Sequence, residues 1–415
     1  MTDSMLRTLA VVVAISLLVV LLQDAFEVML LPRRVQRRLR LMRIYFDIAW
    51  SLWTELARRL TAGRRRENFL SHFGALSMLL LFGIWAAGLI AGFGLLEWSL
   101  QSRASGLPVS PLAEQLYMSG VTFFTLGYGD VVPHTGLVRL VTVLEAGTGI
   151  GFIAVVIGYL PVLYQLFSRR EAHVIQLDGR AGSPPTAGTM LVRHAEAGGL
   201  ETLDDLLREW ELWGSDLLES HLSYPMLAYY RSQHDNQSWL AALGCVMDAC
   251  ALVLVGVPEL RPLQARMTFT MARQILVEMA RSFGVQPSRY TGGDRLDSAA
   301  YERLEAALVE AGVDWTPGDE GRDMLAALRA TYEPLLAGLS QHLLLPLPGW
   351  LPDAEGSDQW ARGHRGLIAS RLVEELSARA GPAAAEGDAG DVRPWRKLRR
   401  RLQADEEDRP DETKP

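Results

Sequence analysis

Residues 122–130 read Thr-Phe-Phe-Thr-Leu-Gly-Tyr-Gly-Asp. Two glycines flank an aromatic, and glycine visits backbone conformations that a β-carbon disfavours. A short stretch can then alternate between conformations, so that successive carbonyls point the same way, as an ion-coordinating ladder must. The context strengthens this reading. An apolar run ending at Leu100 precedes the nonamer, and a second, residues 137–167, follows it. A glycine-rich turn between buried helices would need neither threonine at both 122 and 125 nor an aspartate after the second glycine.

Three apolar stretches are long enough to cross ~30 Å of hydrocarbon, which takes about 20 helical residues. They cover residues 6–31 (interrupted by Asp24 and Glu27), 73–96 and 137–167. The first has a short basic start at Arg7 but no small-residue cleavage site after it, and apolar character resumes at Val28. It therefore reads as a retained anchor and not as a signal peptide.

Arginine placement sets the orientation. Arg33, Arg34, Arg37, Arg38, Arg40, Arg43, Arg58, Arg59, Arg64, Arg65 and Arg66 stand against only Asp47 and Glu55 in that interval. The positive-inside rule puts this segment in the cytoplasm. The amino terminus is then outside, the nonamer loop re-enters from outside, and Arg169 and Arg170 mark the cytoplasmic exit of the third span. Arg34, Arg37, Arg40 and Arg43 recur every third residue, as gating charges do. A voltage sensor needs its own helix bundle, however, and only one apolar span lies upstream. The expected alternative is an interfacial helix with Ile44, Ile48, Trp50, Leu52, Trp53 and Leu56 towards lipid and the Arg33-to-Arg66 stretch near anionic headgroups. Asp24 and Glu27 are placed to pair with Arg33 or Arg34.

Thr125-Leu126-Gly127-Tyr128-Gly129-Asp130 resembles the signature filter of the potassium channel pore family, usually written TVGYGD. The likeness covers roughly residues 70–168. It implies an all-α membrane protein with an N-terminal anchor helix, a helix–pore-loop–helix unit and a mainly helical cytoplasmic domain. In that family, rings of backbone oxygen replace the water around a dehydrated ion. Carried onto this chain, the filter is Thr125, Leu126, Gly127, Tyr128 and Gly129. K⁺ sits at Thr125, Leu126, Gly127 and Tyr128, with the Thr125 hydroxyl forming the innermost site. Leu126 departs from the usual valine. The family side chain there faces away from the axis, so the backbone ring survives while the packing behind it differs. Asp130 either braces the filter from behind or acts as an outer-mouth carboxylate, and both stay open; Thr122 is a further support.

The flanking helices supply the rest of the unit. Pro111 suits the start of a pore helix over 112–124, whose carboxyl end would favour a cation. The third span carries Gly147, Gly149, Gly151, Gly158 and Pro161. Gly149 reads equally as a hinge or as a packing site, while Gly158 and Pro161 give a second bend. Glu145 lies about two turns into that span and is expected to brace the filter in preference to lining the pore. Gly88 and Gly92 form a weak GxxxG packing signal. One filter loop cannot surround an ion, so a single copy implies a homotetramer. The absence of a second motif excludes a two-pore dimer.

The chain has 415 residues and a net charge of −7, with arginine plentiful and lysine scarce. The expected organisation is an anchor (1–32), a basic linker helix (33–71), a pore domain (72–168), a helical cytoplasmic domain (169–380) and a disordered tail (381–415). The tail's basic stretch, Arg396 to Arg401, would lie near the membrane. Within the cytoplasmic part, a strand is expected at 174–177 and a loop at 182–185. Helices are expected at 199–220, 224–233, 237–256, 259–284, 296–312, 320–344 and 358–379. Residues 240–257 are apolar, but Asp248 and the lack of basic flanks favour a core helix over a fourth span. Trp210 and Trp213 read as core. Cys245 and Cys250 are five apart and do not share a helix face, so no disulfide follows.

No dinucleotide fingerprint, zinc spacing or nucleophile–base motif is present, and no enzyme, cofactor or nucleic-acid partner is expected. The polar-aromatic cluster from His221 to Asn236 reads as a helix joint or as the lining of a pocket for an unidentified small molecule. The function expected is therefore a potassium-selective channel in the cell membrane, gated by bending of the third span under control of the cytoplasmic domain. A weakly selective cation channel and a non-conducting membrane sensor are the alternatives.

Overall fold

Three long helices and one short one make up the part of the chain that carries the nonamer in the computed structural model, which describes residues 2–30, 41–61, 63–101, 110–196, 198–234, 236–257, 260, 262–315 and 317–352. They are α1 (Thr2–Met29), α3 (Arg64–Leu100), α4 (Leu112–Phe123) and α5 (Gly136–Ala181). At 1.5 Å per residue, α3 and α5 run about 55 and 70 Å, well beyond ~30 Å of hydrocarbon. Both therefore continue past any bilayer as helix.

Paired contacts fix the directions. Arg7 meets Gln101 and Trp98, Leu18 meets Gly92, Leu21 meets Gly88, and Asp24 accepts from the Trp85 indole at 3.0 Å. Rising numbers on α1 meet falling numbers on α3, so the two are antiparallel. α5 is also antiparallel to α3, through Glu97–Thr142 at one end and Phe82–Tyr159 at the other. The glycine pair does the packing: a β-carbon on Gly92 would lie 2.8 Å from Leu18, and one on Gly88 2.5 Å from Leu21. Gly92→Leu is accordingly expected to cost about 1–3 kcal/mol by overpacking. Gly83→Leu, whose Cβ meets nothing within 4 Å, is the control. Thermal unfolding in detergent compares them.

The basic linker holds α2 (Leu41–Arg58), which runs antiparallel along the first turns of α3. The Tyr45 hydroxyl donates to Ser77 O at 2.7 Å, and the Trp53 indole stacks on Phe69. Here the expected lipid face divides. Ile44, Ile48, Leu52 and Leu56 are exposed in one stripe, whereas Trp50 is buried and Trp53 is partly buried. The 3.6-residue period separates the two sets, and both tryptophans turn inward to donate to Phe69 O and His342 O. Asp24 bonds to Trp85; its expected partners Arg33 and Arg34, like Arg37, Arg38 and Arg40, fall outside the described residues.

Beyond α5 come α6 (Ala187–Glu196), α7 (Leu203–Ser223), α8 (Trp239–Gly256), α9 (Pro262–Phe283), α10 (Ser298–Glu310), α11 (Gly318–Ala330) and α12 (Glu333–Leu343). Every residue from Trp239 to Val253 is buried, so α8 is the axis of a helical bundle although it is apolar and long enough to cross a membrane. Asp248 on α8 pairs with Arg295 at 2.5 Å and accepts from the Tyr332 hydroxyl at 2.5 Å, which compensates its burial. Trp210 and Trp213 are in the core, and Cys245 and Cys250 are both free and buried.

Several local expectations are corrected. Residues 174–177 are not a strand: α5 continues to Ala181, with Val174, Leu177 and Ala181 buried at helical spacing. Four residues of mixed polarity do not separate the two periods. The loop at 182–185 is a turn, as expected, and helix α6, for which no element was expected, follows it. The 224–233 helix is only a 3₁₀ turn, Pro225–Tyr229; Leu227 O accepts both Tyr230 N–H and Arg170, and Tyr230 O accepts from Arg170. The 320–344 helix breaks into α11 and α12, with Tyr332 buried at the break and Pro334 in the first turn of the second. The expected helix at 358–379 and the tail at 381–415 lie outside the described residues.

Candidate functional site

Pro111 caps α4, which ends at Phe123, one residue short of the expected limit. Two bonds bind the end of this helix to the nonamer: Thr125 N–H donates to Thr122 O at 3.0 Å, and Leu126 N–H to Val121 O at 2.8 Å. The backbone then alternates. Thr125, Gly127 and Gly129 have φ of 59°, 58° and 76°, while Leu126 and Tyr128 between them stay negative. Positive φ on a β-branched residue is strained. At Thr125 it repeats the backbone sign of the two glycines at every second position. The Asp130 carboxylate accepts from its neighbour Val131 N–H at 3.1 Å and interacts with the Tyr117 hydroxyl on α4. Leu126 is 54% exposed on a single chain, so its own subunit covers less than half of it.

Two fully buried carboxyl groups stand behind α4. Glu145 on α5 is hydrogen-bonded to the Ser119 hydroxyl, and Ser119 also reaches Ile90 O at 2.8 Å, which joins α5, α4 and α3. Glu97 on α3 accepts from Thr142 on α5 at 2.6 Å, one turn from Glu145. Glu97 escaped the sequence reading because it lies just past the assigned end of the second span. Its place inside the apolar run that ends at Leu100 is the available signal. Ser119 has one proton and faces two acceptors, so a side chain able to donate as well as accept fits position 145. Glu145→Gln is thus expected to stay within 1 kcal/mol of the parent. Glu145→Ala, which strands Ser119 beside a void, is expected to cost about 1–3 kcal/mol. Thermal unfolding in potassium buffer separates the two.

The third-span glycines differ in surroundings. A β-carbon on Gly149 would lie 2.1 Å from Phe123 O, so this glycine lets α5 pass directly against the end of α4. Gly147, Gly151 and Gly158 meet nothing within 4 Å on a single chain, and helix α5 continues through Pro161.

At the other end of α5, the cluster from His221 to Asn236 forms a joint. Arg170, itself buried, donates to Glu171 at 2.9 Å, Leu227 O at 2.8 Å and Tyr230 O at 2.8 Å. His221 lies 3.4 Å from Arg170, and burial together with that charge holds its imidazole well below the usual range. The Tyr230 ring sits against Gly74 of α3, where a Cβ would be 2.7 Å away, and Tyr229 packs among Phe46, Trp50, Phe73 and Phe283. One turn of chain thus touches α2, α3, α5 and α9.

Comparison with known proteins agrees with this geometry. The profile of a family described as "Ion channel" matches residues 78–165. The chain is 32% identical over 98 residues to Protein LctB of Geobacillus stearothermophilus, 72% of which it covers. The chain belongs to the potassium channel pore family. This family member is also 32% identical over 90 residues to the Two-pore potassium channel 4 of Arabidopsis thaliana, covering 28% of that protein. It is 28% identical over 195 residues to the uncharacterized membrane protein YdjJ of Bacillus subtilis, covering 56% of its length. The chain thus spans about half or less of these last two relatives. No solved structure matches. The protein is an all-α, multi-pass membrane protein with an ion channel domain.

Proposed function

We propose that this channel is potassium-selective and that four copies surround one conduction axis. The alternation of φ at Thr125, Gly127 and Gly129 carries the proposal, because it aligns the carbonyls of residues 125–129 for a dehydrated cation. Fourfold closure follows from a single filter per chain. The apolar residues Leu126, Val132, Leu140 and Leu144, exposed on one chain, are surface for neighbours and lipid. Its output is transport and not catalysis.

Orientation and gating complete the reading. The filter end of α3, near Gln101, is opposite the end that carries Arg64, Arg65 and Arg66. The amino terminus is placed outside and the helical bundle in the cytoplasm. The exposed stripe of α2 faces lipid, with the Arg33-to-Arg66 stretch near anionic headgroups. Gating moves α5 at Gly158 and Pro161, and the bundle acts on it through Arg170. Asp130, Thr122 and Glu145 support the filter.

The test is a reversal potential on proteoliposomes under opposed K⁺ and Na⁺ gradients. A value near the potassium potential is expected, and one indifferent to potassium rejects the reading. The exposure of Leu126 favours a specific second reading, a filter loosened by the larger side chain. Under it, Leu126→Val would lower sodium permeability; equal permeability in parent and variant removes it.

A further inference from the structure

A polar cleft lies away from the filter, where the bundle meets the cytoplasmic end of α3. Its walls are Glu67, Asn68 and Ser71 of α3, then Arg231, Ser232, Gln233, His234 and Gln237, and Leu345 and Pro346 after α12. Its volume of about 240 Å³ is below the ~300–1,000 Å³ of sites for drug-sized ligands, so it admits a small metabolite.

The lining determines which kind. Arg231 faces Glu67 at 3.4 Å and donates to Leu344 O at 2.9 Å and Leu343 O at 2.7 Å. A guanidinium has five N–H donors, so this one retains capacity for a carboxylate. Burial lowers the Arg231 pKa to about 10, and the Glu67 charge opposes that fall, so the group stays charged at neutral pH. Gln237 is buried; its amide nitrogen donates to Asp178, while its amide oxygen has no partner among the described residues. The buried Ser232 hydroxyl oxygen has none either. Burying such groups unpaired is unfavourable, and a bound ligand would relieve it. A net anion would be repelled by Glu67 and a net cation by Arg231, whereas a molecule bearing both charges is attracted by each.

We propose that this cleft binds a small zwitterionic metabolite of the α-amino-acid type, with its carboxylate on Arg231 and its ammonium on Glu67 and the Gln237 amide oxygen. Occupancy bears on the second span, because α3 forms one wall and Tyr230, next to Arg231, packs on Gly74. Binding stands apart from the channel reading; only an effect on flux would rest on it.

The full chain in detergent is unfolded thermally with each common L-α-amino acid in turn, with propionate, ethylamine and inorganic phosphate as controls. At least one amino acid is expected to raise the unfolding temperature by about 2–4 °C, with no shift from the controls. Ser71→Trp, at an exposed position on the wall, should fill the cleft and abolish the shift without altering the unliganded transition. No shift with any amino acid, a shift that survives Ser71→Trp, or an equal shift with phosphate overturns the proposal. Potassium flux is measured separately: a lost shift with intact flux rejects the cleft alone, and a retained shift without flux rejects the channel reading alone.

Discussion

Gly149→Ala is expected to abolish potassium flux into liposomes. The added carbon would fall 2.1 Å from Phe123 O, and real Cβ contacts essentially never come below 3.0 Å. The obstacle is backbone, so no rotamer change relieves it, and either α5 or the end of α4 must move by about an ångström. The end of α4 cannot move alone, because the N–H groups of Thr125 and Leu126 are bonded to the carbonyls of Thr122 and Val121 in its last turn. The displacement therefore enters the filter. Overpacking costs about 1–3 kcal/mol per copy, or about 4–12 in a fourfold assembly. At 1.4 kcal/mol per tenfold, conduction should fall by at least about 700-fold. Gly83→Ala, with open space at its Cβ, should conduct normally. Flux within threefold of the parent in Gly149→Ala would show that the close approach of α5 to α4 is absent.

Arg170→Met is expected to destabilise the helical bundle by about 3–5 kcal/mol, the usual cost of removing one partner from a buried charged network. The substitution strands the buried Glu171 carboxylate and the Tyr230 carbonyl, and leaves Leu227 O only its turn bond from Tyr230 N–H. Its neighbour is the control. Arg169 pairs with Asp216 at 2.6 Å, but the two side chains are 65% and 46% exposed, so Arg169→Met should cost only about 0–1 kcal/mol. Denaturant unfolding followed by tryptophan fluorescence reads both variants. Adding Glu171→Met to Arg170→Met removes the stranded charge and should restore part of the loss. Equal effects at 169 and 170 would refute the buried joint.

These adjacent arginines illustrate how legibility divides. Both read as marking the end of the third span, and nothing local distinguishes the exposed one from the buried one. The difference lies in two carbonyls about 57 and 60 residues further on. Trp50 and Trp53 were placed towards lipid because their stretch is apolar, but their indole donors meet His342 O and Phe69 O, and an indole N–H in hydrocarbon would have no such partner. The 224–233 stretch, expected as a helix, is a 3₁₀ turn whose carbonyls at Leu227 and Tyr230 accept from Arg170. Glu145 was legible, because a carboxylate deep in an apolar run demands a partner. The identity of that partner, Ser119, was not.

The sequence by itself determined the nonamer, the apolar runs and their arginine flanks. Each is a property of consecutive residues: glycine at two alternate positions, enough apolar length, charge on one side. Tertiary structure alone decided that Gly149 is pressed against Phe123 O, that Arg170 is sealed under a turn from 224 to 231, and that α5 runs unbroken from the filter into the bundle. Local rules describe what a backbone can adopt and which stretches leave water. Which carbonyl meets which glycine or guanidinium depends on segments tens to hundreds of residues apart, and only packing brings them together.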